Sequence, residues 1–293
     1  MAGLGCDVVA VASVKRWLAE DFVGAVETFG VPVVWTVGFS YPDLAEYVNP
    51  VWWAPTEYAA RLLHAGVAFE TVSPGPLFMS GLDETMTGRV VHSLRFKQFK
   101  KLVAAGELAS GFVKLSEVKT DLCPAGWYPD LGEFVGFGET AKIPDDTMLE
   151  LSTTRLQLVN EYRVFVANQN VLQVVPYRLG DLWWEPGLID VCDPLGEAAK
   201  RFAGEVVSGL GTNQPAGWVL DIGVTHSGQW VVVEGNPVWS SGLYDTNPRN
   251  ALVAIDAAFN AGPGGLWRWE PDPWLVTQAQ KKVVLTASNP ITM

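Results

Sequence analysis

Cysteine and histidine are scarce, with three of each in 293 residues. Cys6, Cys123 and Cys192 are odd in number and far apart, and their spacing fits neither a zinc site nor a redox pair. Reduced thiols in a cytoplasmic protein are therefore expected. His64, His92 and His226 are scattered, and no Ser-His-Asp or Cys-His arrangement has supporting context, which speaks against a protein nucleophile. No apolar run approaches the roughly 18–20 residues that a spanning helix needs, so no membrane association is expected. Met1–Asp7 lacks the basic start and uninterrupted apolar block of a signal peptide. Cations are also few: 20 Lys and Arg stand against 32 Asp and Glu, for a net charge of −12. That balance argues against nucleic-acid binding, which rests on basic surface, and requires that any bound phosphate be met by a few placed cations.

What is present is apolar. Hydrophobic residues make up 48% of the chain, and thirteen tryptophans supply large anchors. The length suits about two domains. Residues 13–29 read as an amphipathic helix with Ser13 as cap, followed by a strand over Val31–Val37. A second helix is expected over Thr56–His64 and a strand over Val67–Val72. Helices alternating with short strands give an N-terminal α/β lobe over residues 1–91. His92–Ala105 reads as a helix with Phe96, Phe99, Leu102 and Val103 inward and Arg95, Lys97, Lys100 and Lys101 on a solvated face. Gly111–Lys119 follows as a strand carrying Lys114, with Lys119 on the loop after it. Thr120–Ala141, rich in Gly and Pro, reads either as a mobile lid or as a tight surface loop. Asp193-Pro194 opens a helix with Leu195, Ala199, Phe202, Val206 and Leu210 as its stripe, and a further helix covers about 250–261. Residues 263–293 form a tail packed on the core through Trp267, Trp269 and Trp274, its last ten residues frayed.

Two hairpins carry the chemistry. In Gly217–Asp245, runs of Val, Ile and Trp flank Ser227-Gly228. A two-residue loop there pairs His226 with Gln229 and sets Asp221 opposite Glu234, with Cβ atoms roughly 4.5–5.5 Å apart. Like charges so placed repel unless a cation intervenes. Alternation adds Asn236 to the same face, giving a set of oxygen donors suited to a hard cation such as Mg²⁺. The plain alternative is a solvent-facing polar strip, but the apolar run Trp230–Val233 indicates a largely buried strand, where unpaired carboxylates are costly. The second hairpin, Asn160–Arg178, turns at Asn168-Gln169-Asn170 and puts Glu161, Arg163 and Phe165 on one face, Tyr162, Val164 and Val166 on the other. Read alone, Glu161 and Arg163 form an ordinary surface ion pair.

Asp-x-Gly followed by Glu-x-Asn, Phe-Val-Lys114 after a helix, and Glu-x-Arg-x-Phe-Val on the second hairpin occur in an order that resembles the ATP-grasp superfamily. The similarity is to its bacterial and phage clade noted for an arginine and two lysines, and it spans residues 92–262. The resemblance implies an α+β fold in which two α/β subdomains sandwich a nucleotide, preceded by the small α/β lobe. It implies ATP and Mg²⁺ as cofactors, with Asp221, Glu234 and Asn236 on the metal and Lys114 and Lys119 on phosphates. It further implies the backbone of Glu150 and Leu151, in a linker at Met148–Leu151, on adenine, Glu161 near ribose or metal, and Arg163 and Arg178 at the transferring phosphate. The implied reaction activates a carboxylate as an acyl phosphate that an amine then attacks, on a peptide, protein or amino acid. A nucleotide-binding module without ligation, or a structural β-rich interaction protein, are the alternatives. The chain departs from the family pattern in lacking a strongly glycine-rich phosphate loop.

Overall fold

A computed structural model describes residues 4–12, 16–36, 40–185, 193–262 and 265–280. Ser13, Val37, Cys192 and the last ten residues lie outside them. The first layer comprises β1 (Val8–Val11), α1 (Arg16–Thr28), β2 (Val33–Trp35), β3 (Pro50–Trp53) and α2 (Thr56–His64). Its strands form a parallel sheet of order β2-β1-β3. Val8–Val11 is fully buried, as a continuous apolar run at the centre of a parallel sheet requires. Phe22 and Val26 turn inward from α1, and α2 stops where Gly66 takes φ +80. Val67–Val72 is not the strand expected. Val72 makes one isolated bridge, to Arg268; its N–H donates to the Ala258 carbonyl and its own carbonyl accepts the Trp239 indole N–H. A short α3 (Glu84–Thr87) follows, its first turn capped by the Asp83 carboxylate.

The second layer is an antiparallel sheet of order β4-β7-β5-β6, with two helices. It contains β4 (His92–Arg95), α4 (Phe96–Ala104), β5 (Gly111–Leu115), β6 (Gly126–Tyr128), α5 (Leu131–Ala141) and β7 (Met148–Ser152). The helix expected from His92 starts at Phe96, because His92–Arg95 pair with β7 instead. Phe96 and Phe99 are buried as expected. On the outer face Arg95 and Lys97 pair with Asp146, and Lys100 with Asp145. The strand from Gly111 ends at Leu115, short of Lys119. The Gly-rich stretch 120–141 is loop only in its first part; its second half is β6 and α5. Gly138 lies inside α5 because a Cβ there would collide with the Phe96 ring.

The third layer is an antiparallel sheet of order β10-β9-β8-β11-β12. Its elements are β8 (Leu158–Ala167), β9 (Asn170–Leu179), β10 (Leu182–Trp183), α6 (Gly196–Leu210), β11 (Gly217–Thr225) and β12 (Trp230–Asn236). Asn168 and Gln169 form the expected turn with φ +48 and +64, the left-handed pair that a two-residue hairpin loop demands. The alternation also holds. Tyr162, Val164 and Val166 pack with Trp218, Leu220 and Ile222 against Ala199, Ala203 and Val206 of α6. The helix begins at Gly196 rather than at Asp193, whose carboxylate accepts from the Leu195 N–H and the Tyr162 hydroxyl. Phe165 and Val219 face the opposite way, toward α7 (Pro248–Phe259). That helix lies so close to β11 that a Cβ on Gly217 would strike the Ala254 carbonyl and the Ala258 backbone. Asp256 near its end accepts from Gly5 and Cys6, tying the first layer to the third. The tail adds α8 (Pro273–Ala279), which the sequence reading lacked. Trp269 and Trp274 are buried, and Trp269 meets Trp239 edge-on at 4.8 Å. Among the described residues no helix is long and apolar enough to cross a membrane.

Candidate functional site

Asp221 does stand opposite Glu234, but two irregularities cancel to put it there. The turn is a three-residue loop, His226–Gly228, closed by the Thr225 N–H donating to the Gln229 carbonyl, with Gly228 at φ +82. This shifts the ladder by one residue, pairing Val224 with Trp230 and Ile222 with Val232. A bulge at Val233 then restores the expected register. Arg89 occupies the bulge, donating to the Val232 and Val233 carbonyls at 3.5 and 3.1 Å.

β8 docks on the other side of β11 with Arg163 opposite Asp221, so Arg163, Asp221 and Glu234 form one rung across three strands. The cation that the two carboxylates need is therefore a side chain of this chain. Arg163 Nε donates to Asp221 Oδ1 at 2.9 Å and Nη2 to Oδ2 at 2.7 Å, while Nη1 donates to the Gly242 carbonyl at 3.0 Å. The Asn236 amide bridges both acids, donating to Asp221 Oδ2 at 3.0 Å and Glu234 Oε1 at 2.8 Å. Arg163 also lies 4.9 Å from the ring centroid of Tyr244, which stacks on Tyr177. Tyr244 sits at φ +49, in the left-handed region that non-glycine residues seldom adopt.

The second sheet supplies the opposing wall. Lys114 on β5 reaches across to Glu234 Oε2 at 2.6 Å and lies 3.4 Å from Glu150 Oε2; Lys119 is 3.7 Å from Glu234 Oε1. Between the sheets opens a cavity of about 1130 Å³, lined by Lys114, Glu117, Lys119, Arg163, Glu234 and Asn236, among others. The first layer contributes Trp53–Glu57, and loop residues Thr120–Asp121 and Cys123–Ala125 form a further side. The volume lies just above the roughly 300–1,000 Å³ usual for small-molecule sites.

The charges in this cavity are strongly coupled. Burial pushes the Glu234 carboxyl up, but Lys114 and Lys119 outweigh it and hold the group well below the usual carboxylate range. Burial also raises Asp221, and Arg163 only partly offsets this. Burial disfavours charge on Lys114, yet Glu150 and Glu234 together raise its affinity for the proton above that of an ordinary lysine. Glu117 has no such cation. Burial, Asp272 and Glu150 push its carboxyl up to about 8, against one long hydrogen bond from Ser73 Oγ at 3.5 Å.

The structure thus brings together Lys114, Lys119, Arg163, Asp221, Glu234 and Asn236 from the residues singled out in the sequence. Others lie elsewhere. Arg178 donates to Glu161 Oε1 at 2.7 Å and packs over Trp183, and Glu161 also accepts the Tyr177 hydroxyl; neither Glu161 nor Arg178 lines the cavity. Met148–Leu151 is not an extended linker but the interior strand β7, with Glu150 and Leu151 paired to both β4 and β5. The connection between the two sheets is residues 153–157. The sequence reading missed Arg89, Glu117, Tyr177 and Tyr244. Tyr177 could have been found, since alternation on β9 places it beside the Glu161–Arg163 face; nothing local marked the other three.

The chain matches an ATP-grasp domain, family 3 of the clade named for one arginine and two lysines, over residues 52–255. The search of curated proteins gave no significant match. Among solved structures, the N5-carboxyaminoimidazole synthase of Aspergillus clavatus superposes with a TM-score of 0.52 at 11% identity, covering 89% of this chain and 78% of that one. The N5-carboxyaminoimidazole synthetase of Staphylococcus aureus superposes with a TM-score of 0.51 at 13% identity, covering 88% and 79%. At such identities these likenesses speak to the fold alone. Two sheets facing each other across a cation-bearing cavity, with the family match over most of the chain, lead to one assignment: the protein belongs to the third ATP-grasp family of the arginine-and-two-lysines clade.

Proposed function

We propose that this protein is an ATP-dependent carboxylate–amine ligase that works through an acyl phosphate. The observation that carries the reading is the convergence of Lys114 from one sheet with Arg163, Glu234 and Asn236 from the other on a single cavity. The S. aureus relative was solved with ADP, and the A. clavatus relative with ADP and 5-aminoimidazole ribonucleotide. A nucleotide and a second substrate fit the volume here as well.

Lys114 and Lys119 are the cations for the nucleotide phosphates. Arg163 has five N–H donors, of which three are engaged by Asp221 and Gly242. One donor remains on each terminal nitrogen to meet the transferring phosphoryl group. Phosphoryl transfer needs positioning and charge neutralisation more than a protein nucleophile, in keeping with the lack of one here. The Glu234 carboxylate and the Asn236 amide oxygen fit Mg²⁺, which takes one or two carboxylates alongside substrate phosphates and water. Bound there, Mg²⁺ would neutralise phosphate charge. Asp221 is instead the anchor of Arg163: both its oxygens are taken by the guanidinium and Asn236, and it is 1% exposed. The substrate carboxylate attacks the γ-phosphorus and releases ADP; the amine then displaces phosphate. Such a reaction draws on the cytoplasmic ATP pool, where buried Cys6 and Cys123 would stay reduced.

The test is a screen of carboxylate and amine pools for ADP release with ATP and Mg²⁺, run on the wild type and Glu234→Gln. Release that requires both a carboxylate and an amine, and is lost in the variant, is expected. Nucleotide binding without release in any pool would replace the ligase with a non-catalytic nucleotide-binding module.

A further inference from the structure

Lys114 has two carboxylates, and the chemistry above uses one of them. Its ammonium lies 2.6 Å from Glu234 Oε2 and 3.4 Å from Glu150 Oε2. Glu234 lines the cavity; Glu150 does not, being 7% exposed on β7 directly across the ladder from Lys114. A magnesium nucleotide that engages Glu234 removes the lysine's shorter ion pair. A buried ammonium without a counter-charge is costly and tends to release its proton, which would end its hold on phosphate. Resting on the nucleotide reading, we infer that Glu150 is a positioning residue, keeping Lys114 charged and aimed into the cavity once Glu234 is committed to the ligand.

The other groups facing this cluster do not fill that place. Lys119, from the loop after β5, and Arg89, ahead of β4, are cations that act on Glu234 and Glu150. Glu117, from the loop after β5, carries the same sign as Glu150 but no ion pair to Lys114, and its contact is Ser73. Only Glu150 is both opposite Lys114 in the ladder and outside the cavity, so a ligand can occupy Glu234 without displacing it.

The test is calorimetry of AMP-PNP with Mg²⁺ between pH 7.5 and pH 10, on the wild type, Glu150→Gln and Glu150→Gln/Lys114→Arg. Glu117 titrates in the same range but is common to all three. Glu150→Gln should bind nearly as the wild type at pH 7.5 and weaken at least about tenfold more than it by pH 10, the loss of one charge-assisted phosphate contact. The arginine, charged throughout the range, should remove that extra pH dependence. In the ligand-free protein the Lys114 Cε resonance should titrate at lower pH in Glu150→Gln than in the wild type. Parallel profiles for wild type and Glu150→Gln, whether equal or uniformly offset, would overturn the inference alone. If Glu150→Gln does not fold, Glu150→Asp takes its place, with a smaller shift of the same sign expected and an unchanged profile overturning it. No binding by the wild type would overturn the nucleotide reading, and this inference with it.

Discussion

Replacing Asp221 with Asn sets two effects of opposite sign against each other, and their sizes decide the outcome. The change relieves repulsion between directly opposed carboxylates on β11 and β12, worth about 0.2–1 kcal/mol for a cross-strand pair. It also strips the counter-charge from Arg163, whose guanidinium is 3% exposed and grips Asp221 through two bonds of 2.9 and 2.7 Å. Removing one partner of a buried ion pair costs about 3–5 kcal/mol, because the other charge stays behind uncompensated. The loss wins, and Asp221→Asn should be destabilised by about 2–4 kcal/mol. At about 2–4 °C per kcal/mol for a chain of this size class, the melting temperature should fall by roughly 4–16 °C. Urea unfolding followed by tryptophan fluorescence gives the free energy directly. The double change Asp221→Asn/Arg163→Met removes both charges and should recover much of the loss. An Asp221→Asn protein as stable as the wild type, or more so, would refute the reasoning and return the hairpin to a solvated polar strip.

Two further outcomes follow from the same structure. Glu117 binds its proton more tightly folded, at about 8, than the ordinary 4.5. Its contribution is therefore full below pH 4.5 and is lost as pH rises toward 8. Glu117→Gln should lessen the decline in stability between pH 5 and pH 8 seen in wild-type unfolding curves, and identical slopes would contradict the assignment. Gly217→Ala, placing a methyl against the Ala254 carbonyl and the Ala258 backbone, should cost about 1–3 kcal/mol, as overpacking does, by pushing α7 off β11; a melting temperature equal to the wild type's would refute that packing.

Local pattern made the two catalytic hairpins legible, and tertiary docking accounts for what it missed. The Asn168-Gln169 turn and the face shared by Glu161, Arg163 and Phe165 follow from turn chemistry and period-2 alternation, both local properties. Asp221 and Glu234 were read as partners from a two-residue loop. A longer loop and a bulge reach the same register, and neither leaves a mark in the sequence apart from Gly228. That Arg163 neutralises Asp221 was invisible, because it depends on β8 docking beside β11 rather than on spacing within either hairpin. His92–Arg95 carries a pattern acceptable to a helix until β7, more than fifty residues later, offers it a ladder. The same docking turns Met148–Leu151 from a linker into an interior strand, and it converts Glu150 from a backbone contact into a side-chain partner of Lys114. Arg89 needed the bulge before its role could exist.

The account's central claim is that the cavity between the two sheets holds a magnesium nucleotide on Lys114 and Glu234. Calorimetry with AMP-PNP, with and without Mg²⁺, on the wild type, Lys114→Met and Glu234→Gln tests it most directly. The account predicts wild-type binding that Mg²⁺ strengthens, a loss of at least about tenfold in Lys114→Met, and binding in Glu234→Gln that no longer responds to Mg²⁺. Folded wild-type protein that binds no nucleotide, or variants that bind as the wild type does, would contradict it.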